Sequence, residues 1–295
     1  MSSVLKTLSD IVIYPIKSLA GVHLKTSKLS KNGLLYDRCL MLIDEQNVFI
    51  SQRSHPVLSL LKTELNEGVF TISKPNDSGS TLTVDLNLLE RLFDLSPQKV
   101  EIWDDKIFAK GTSLKTIDLW FSDFLGIKCS LVRLPEDSTE RQIGKQFQHS
   151  NALNSVSFSD GFPILIIGSE SLSDLNNRLG KPVAMQQFRP NLVFEGGNAY
   201  EEDFWHEFTI GQAAFIGTKP CSRCIMTTIE SNKGVFQKEP LRTLATYRKQ
   251  KNNKIYFGQN ILIGSDVGKE TAISIGDKIE LISLLEDSQM PWGNI

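Results

Sequence analysis

The stretch Lys219-Pro220-Cys221-Ser222-Arg223-Cys224, followed by Ile225-Met226-Thr227-Thr228-Ile229, decides how the second half of this chain is read. A Cys-x-x-Cys pair near the start of a βαβ unit reads as a thioredoxin-like redox site. Here a β-branched run follows the second cysteine, so the segment 225–229 predicts another strand and a β-rich fold. The same stretch sets two thiols beside fixed positive charge. A guanidinium favours the thiolate, the form that reacts or binds metal, and Arg223 is expected beside both sulfurs. A structural zinc site would need two more ligands, and His23, His55, His149 and His206 are isolated along the chain. Spacing alone leaves one buried and one incidental cysteine as the plain alternative.

At 295 residues the chain is long enough for two ordinary cores without staples. Its four cysteines, Cys39, Cys129, Cys221 and Cys224, are too few and too scattered for a disulfide framework, which points to a reducing cytoplasm. A net charge of -2 and a pI near 6.1 argue against a surface built for a nucleic-acid polymer or anionic lipid, and leave room for a local basic pocket. Residues 1–16 lack the unbroken apolar run of a signal peptide, and no segment reaches the ~20 apolar residues of a membrane helix. A cytoplasmic protein with no membrane partner is expected.

Short β-type runs dominate the first part, at 10–16, 39–44, 57–65, 69–74, 81–86 and 100–110. Asn32-Gly33, Asn66-Glu67-Gly68 and Pro75-Asn76-Asp77-Ser78-Gly79 punctuate them as turns. So many strands with few helical patterns predict an antiparallel sheet curling toward a barrel. Helices are expected at 113–125, with Ser113 as N-cap and Gly126 past the end, at 171–178, with a Ser171/Asp174 capping box, and at 240–249, opened by Pro240. The second half is again strand-rich, at 163–168, 188–194, 208–210, 213–216, 255–263 and 278–284. Gly258 in Phe257-Gly258-Gln259 predicts a bulge or a close approach of another backbone. The fold class expected is mainly β with a few helices (α+β), with a frayed tail after Leu285.

Several cations stand at strand ends beside turn residues, where binding groups concentrate. These are Lys17-Ser18, Arg38 after Asp37, and Arg189 in Arg189-Pro190-Asn191. Pro190 predicts an extended Arg189, with Asn191 on the same face. Asp160 lies before the apolar run 164–167, as a turn residue or a carboxylate at a strand mouth. Singly, each reads as readily as a surface charge. No Walker or Rossmann loop, nucleophile elbow or His-Glu-x-x-His is present, which withdraws support from nucleotide hydrolases, hydride-transfer enzymes and zinc proteases.

Together, Tyr14-Pro-Ile-Lys-Ser18, Asp37-Arg38, Phe158-Ser-Asp160, Phe188-Arg-Pro-Asn191, Lys219-Pro-Cys-Ser-Arg-Cys224 with Thr227-Thr228, Lys238-Glu-Pro-Leu241 and Phe257-Gly-Gln259 resemble, in words and order, the MOSC family. The acronym denotes the C-terminal domain of molybdenum cofactor sulfurases. The nearest branch is that of amidoxime-reducing components and bacterial reductases of N-hydroxylated bases. The resemblance spans residues 6–284. It implies an N-terminal β-barrel-like domain at 1–124, a MOSC β-barrel domain at 125–286 and a tail at 287–295. It also implies the molybdenum cofactor, Mo-molybdopterin, with Cys224 as the metal's protein ligand, a soft thiolate completing the pterin's own sulfur donors. Lys17, Ser18, Arg38, Arg189, Asn191, Ser222 and Arg223 would grip the pterin and its phosphate. Asp160 would stand near the metal as a catalytic proton donor or substrate-orienting group.

The activity implied is detoxifying reduction of small N-hydroxylated substrates: amidoximes, hydroxylamines and hydroxylamino-purines. The alternative is a carrier of cofactor or sulfur that does not turn over. Gly161 and Phe162 replace hydroxyl residues found after the aspartate in animal members, which leaves only backbone N–H groups for a phosphate there. The chain has no cysteines left for an iron–sulfur cluster, so electrons must come from a separate flavoprotein, ferredoxin or cytochrome-type partner.

Overall fold

Strand Lys6–Ile13 buries Leu8, Ile11, Val12 and Ile13 and leaves its polar positions half-buried. It pairs antiparallel with Lys278–Leu281 along one edge and with Leu192–Glu195 along the other. From Leu192–Glu195 the ladder continues through Ile164–Gly168, Tyr256–Ile263, Ala213–Ser222 and Glu207–Ile210 to Lys278–Leu281, so seven strands close on themselves. Closure removes both sheet edges. Ile164–Gly168 and Leu192–Glu195 pair parallel, and the helix Ser169–Arg178 lies in the crossover between them. Tyr256–Ile263 is buried at every position, as a strand covered on both faces must be.

This computed structural model describes residues 5–75, 77–135, 138–268 and 270–286. The tail 287–295, Asn76 of the 75–79 turn and the first four residues lie outside them. A half-barrel faces the closed one: Leu40–Asp44, Cys129–Arg133, Asp105–Gly111 and Gln98–Ile102 form one sheet, and Lys62–Asn66, Val69–Lys74 and Asp77–Asp85 a second. Leu40, Leu42 and Phe70 from these sheets, with Phe121 of the helix Lys115–Leu125, pack in the same apolar cluster as Leu8, Ile166 and Phe208 of the barrel. The architecture is mainly β with few helices, as expected. Among the described residues no helix is long and apolar enough to cross a membrane.

Local departures have physical causes. Pro56 opens a 3-10 turn, Pro56–Leu60, where a strand was expected, and the strand follows as Lys62–Asn66. The run 100–110 is a hairpin, Gln98–Ile102 with Asp105–Gly111, that turns at Trp103 in the left-handed region, φ 54°. Ile225–Thr228 is a 3-10 turn rather than a strand, because the hydroxyls of Thr227 and Thr228 donate back to the carbonyls of Cys224 and Ile225 at 2.9 and 2.7 Å. Helix Lys115–Leu125 ends on left-handed Gly126 as expected, whereas the Ser113 hydroxyl donates to Asp94 at 2.8 Å instead of capping. Ser171 lies inside its helix, not at a capping box, and its hydroxyl donates to buried Glu202. The third helix is a short piece, Leu241–Ala245.

Gly258 has φ 78°, and a Cβ built on it would lie 2.6 Å from Ile167 Cγ1 and 3.0 Å from the Ile166 carbonyl oxygen. The close backbone approach expected there is present. We expect Gly258→Ala to destabilise the fold by about 3 kcal/mol through left-handed strain and overpacking. A lower urea midpoint at unchanged slope would register it; an unmoved midpoint would mean that the strand accepts a side chain.

Candidate functional site

Past Ile13 the first strand delivers Tyr14 to Ser18 across the mouth of the barrel. Segment 37–40 interlaces with it: Tyr14 and Pro15 carbonyls accept from the Arg38 and Leu40 N–H groups at 2.8 and 3.0 Å, and Lys17 N–H donates to the Leu40 carbonyl at 2.8 Å. The Arg38 carbonyl in turn accepts from Phe158 N–H at 3.0 Å, which brings in the loop of Asp160. Ser222, Arg223 and Cys224 arrive from the end of Ala213–Ser222, tied to the neighbouring strand by Arg223 N–H to the Ile255 carbonyl at 2.7 Å. Lys17, Ser18, Arg38, Asp160, Arg189, Asn191, Ser222, Arg223 and Cys224 all line one cleft of about 890 Å³ including its open mouth.

Asp37 organises one wall. Its buried carboxylate accepts from Tyr14 N–H at 2.8 Å and from Arg38 Nη1 at 2.6 Å. Burial pushes the Asp37 carboxyl up, against the opposing pull of Arg38. The guanidiniums of Arg38 and Arg189 both stack on the Tyr14 ring, at 4.3 and 4.2 Å from its centroid. Burial raises the Tyr14 phenol to about 12, so it stays a neutral donor to the Pro190 carbonyl at 3.0 Å. The Arg189 group is lowered to about 10, mainly by burial, with Arg38 adding repulsion. Asn191 is committed within the protein: Oδ1 accepts from Arg38 Nη1 and Leu165 N–H, and Nδ2 donates to the Val12 carbonyl at 3.1 Å.

The opposite wall is built around Asp160. Lys17 Nζ pairs with its Oδ1 and donates to the Phe158 carbonyl at 2.8 Å. Burial pushes the Lys17 ammonium down, and Asp160 opposes the shift. For Asp160 itself burial raises the carboxyl, but the attraction of Lys17, reinforced by Arg53 and Arg38, outweighs it and holds the group well below the ordinary carboxylate range. At neutral pH Asp160 therefore offers a charge and a hydrogen-bond acceptor rather than a proton. Trp103 donates its indole N–H to the same oxygen at 3.3 Å.

Two expectations are corrected. Arg189 is left-handed, φ 54° and ψ 46°, not extended, because its stacking on Tyr14 and its bond to the Leu19 carbonyl at 2.6 Å override the bias of Pro190. Arg223 reaches only one sulfur: its Nη1 lies 3.0 Å from Cys221 Sγ, and its Nη2 donates to the Phe188 carbonyl at 2.6 Å. The cation at Cys224 is Arg53, whose Nη2 lies 3.5 Å from the sulfur while its guanidinium stacks 4.4 Å over Trp103. Sequence reading missed Arg53, Trp103 and the buried Arg141. The last donates to the carbonyls of Ser157 and Ser159 at 2.5 and 2.6 Å and so holds the Asp160 loop. No turn or spacing signal marks these three, whose roles arise from contacts 16 to 171 residues away. Ser18, Arg38, Trp103 and Arg189 all have positive φ at a cost of ~1–2 kcal/mol each, strain that concentrates at this cleft.

Among the described residues no three His, Cys, Asp or Glu side chains converge. Two thiols, Cys221 and Cys224, line the cleft, the first bonded to Arg223, and an ion bound at Cys224 must bring most of its donors with it. Four cations, Lys17, Arg38, Arg189 and Arg223, line the cleft against the single carboxylate Asp160. Arg223 Nε is buried and lacks a hydrogen-bond partner among the described residues. That donor set fits an anionic, sulfur-bearing metal cofactor.

Comparisons with known proteins agree in extent. The family model described as the MOSC domain matches residues 154–280, and that of the MOSC N-terminal beta barrel domain matches residues 5–128. Molybdenum cofactor sulfurase of Oryza sativa subsp. japonica is 34% identical over 85% of this chain, which spans only 32% of that protein. Mitochondrial amidoxime reducing component 2 of Bos taurus is 30% identical over 92% of this chain and 82% of its own length. The protein of that name from Rattus norvegicus is 33% identical over 82% and 72%.

The Lys17–Asp160 pair sets an acid dependence. A carboxyl held below its ordinary value stabilises the fold above about pH 4 and loses that contribution as the pH falls further and the group takes a proton. With 58% of the Asp160 side chain exposed, screening limits the contribution to about 1 kcal/mol. Asp160→Asn should therefore melt about 2 °C below the native protein at pH 7, and the two melting curves should converge as the pH falls below 4. A constant offset down to pH 2 would contradict the assignment.

Proposed function

Because the chain belongs to the MOSC family, with a MOSC domain and its N-terminal barrel domain, we propose that it is a molybdenum-cofactor-dependent oxidoreductase. Its substrates are small N-hydroxylated compounds of the amidoxime, hydroxylamine and hydroxylamino-purine types. The observation that carries this reading is the gathering of Lys17, Arg38, Arg189 and Arg223 around a cleft lined by two thiols, Cys221, which Arg223 takes up, and Cys224. The N-terminal barrel domain match ends at residue 128 and the MOSC match begins at 154, and Lys6–Ile13, from the first, joins the closed barrel of strands from the second.

Bound there, Mo-molybdopterin supplies the two-electron chemistry that removes the nitrogen-bound oxygen as water. The chain's own residues bind and orient. Cys224 provides the protein's sulfur ligand. Arg223, with its unsatisfied Nε, and the N–H groups left on Arg38 and Arg189 hold the anionic cofactor, with Ser18 and Ser222 beside them. Asn191 acts by fixing the Arg38 fork at 2.9 Å. Lys17 keeps Asp160 ionised, and the carboxylate accepts a hydrogen bond from the N–H or O–H of the substrate, which orients it. Among the described residues no three His, Cys, Asp or Glu side chains gather as ligands for an iron–sulfur cluster. Electrons then come from a separate flavoprotein, ferredoxin or cytochrome-type partner. Four free thiols suit a reducing, cytoplasmic setting.

The second reading is a carrier of the cofactor, or of sulfur on Cys224, without turnover; the similarity to a molybdenum cofactor sulfurase favours it. Protein made in hosts able and unable to synthesise the cofactor separates the two. We expect molybdenum and benzamidoxime reduction with an artificial donor only from the first host. Cys224→Ser should lose the metal and at least a hundredfold in activity, while Cys221→Ser keeps most of both. Stoichiometric persulfide on Cys224 without molybdenum would favour the carrier, and equal or absent activity in both hosts would refute the reductase.

A further inference from the structure

Trp103 lines the cofactor cleft and is 39% exposed there. It is the first of two residues, Trp103 and Asp104, that join Gln98–Ile102 to Asp105–Gly111. Its φ of 54° is one that glycine adopts without cost in a tight hairpin turn and that a bulky side chain adopts only under strain. The turn alone would favour glycine, so what the tryptophan adds lies in its ring. Three contacts fix that ring at the cleft. The indole N–H donates to Asp160 Oδ1 at 3.3 Å, the Phe49 ring meets it at 62° with centroids 4.6 Å apart, and the Arg53 guanidinium lies 4.4 Å over it. Arg53 is exposed, and the described contacts of its guanidinium are this ring and Cys224 Sγ at 3.5 Å. Carboxylate, indole, guanidinium and sulfur are thus linked in one row along the cleft.

We propose that Trp103 and Arg53 form the wall that recognises the body of the substrate, so that amidoximes and hydroxylamines carried on a planar aromatic or heterocyclic ring are preferred to aliphatic ones. The inference rests on the reductase reading of this cleft and adds to it what selects among N-hydroxylated compounds. The substrate N–H or O–H is assigned to Asp160, and a donor bonded there at about 3 Å stands within two hydrogen-bond lengths of the indole nitrogen. The group carried on the amidine carbon, one or two bonds further on, then reaches the Trp103–Arg53 surface. A guanidinium plane stacks on π systems, and the exposure of Arg53 leaves it accessible to a second ring beyond the indole. An aromatic body gains an offset or edge contact with Trp103 and the cation–π attraction of Arg53, whereas a methyl group gains neither. Neither side chain needs to be uncovered for this, since both already meet solvent at the cleft.

The test uses protein from a host that makes the cofactor and two amidoximes that share the reacting group and differ in the body it carries, benzamidoxime and acetamidoxime. Trp103→Gly suits the φ of the turn and removes the ring. We expect it to lower the preference in kcat/KM for benzamidoxime over acetamidoxime at least ~fivefold, with the loss residing in KM. Any displacement of Asp160 weakens both substrates alike and cancels in this ratio. Trp103→Phe, which keeps a ring without the indole N–H, should retain most of the preference, and Arg53→Gln, at an exposed position, should lower it at least ~twofold. Binding is read apart from turnover by tryptophan emission in the absence of an electron donor: benzamidoxime should quench the native protein saturably, acetamidoxime should not, and Trp103→Gly should lose the quench. A native protein that reduces neither amidoxime would refute the reductase, and the quench then decides on the wall by itself. An unmoved ratio in Trp103→Gly, or the same quench with and without Trp103, would overturn the proposal. If Trp103→Gly does not fold, the ratio in Arg53→Gln decides in its place.

Discussion

The pairing of Lys6–Ile13 with Leu192–Glu195 on one edge and Lys278–Leu281 on the other is the constraint on which this molecule depends. It joins the first strand to strands that lie far later in the chain, Thr7 pairing with Glu195 and with Lys278, and it closes a sheet that would otherwise expose two edges. Closure also sets the angle at which the chain leaves the barrel at Ile13. Tyr14 through Ser18 then run across the barrel mouth, and Lys17 and Arg38 are positioned by that exit. The barrel and the half-barrel share one apolar cluster, so the cleft lies between elements packed on a common core and is rigid in the sense that a preorganised site requires.

The site is held by paired charges that neutralise one another in its walls while leaving surplus positive charge toward its centre. Asp37 holds Arg38, Asn191 orients it, and Tyr14 carries Arg38 and Arg189 on its ring. Lys17 and Asp160 do the same on the opposite side. Removing one partner of the buried Asp37–Arg38 pair costs ~3–5 kcal/mol because the other charge is stranded, whereas the exposed carboxylate of Asp160 limits its pair to about 1 kcal/mol, and both pairs fix geometry more than they add stability. Three of the four residues with positive φ around the cleft fit this picture: the strain of Arg38, Trp103 and Arg189 persists because their side chains are held by Asp37 and Asn191, by Asp160 and by the Leu19 carbonyl. The division of the two cysteines follows too, since Arg223 is taken up by Cys221 and the Phe188 carbonyl and the sulfur of Cys224 meets Arg53 instead.

Much of the fold was legible because it depends on local pattern. The period-2 alternation of 69–74, the apolar run 255–263 and the stop signal of Gly126 all read correctly, since each reflects which side chains must be buried or which φ a residue can adopt. The failures came where a side chain's partner is distant or the competing local bond is polar. Thr227 and Thr228 look like strand residues, yet their hydroxyls bond back three residues and make a turn. Ser171 looks like a cap, but Glu202 claims its hydroxyl. Arg53 and Arg141 carry no local signature at all.

The amino-acid sequence by itself determined the β-rich class, the turn and glycine positions and the set of ordered motifs that identify the family, because propensity, periodicity and residue identity are local properties. Only the tertiary structure decided that the first strand completes the second half's barrel, that Arg53 and not Arg223 faces Cys224, and that Asp160 stays ionised beside Lys17. Those outcomes depend on the distance and burial of groups far apart in the chain. Electrostatic and hydrogen-bond energies are set by that separation and by the surrounding dielectric, neither of which is written in residue order.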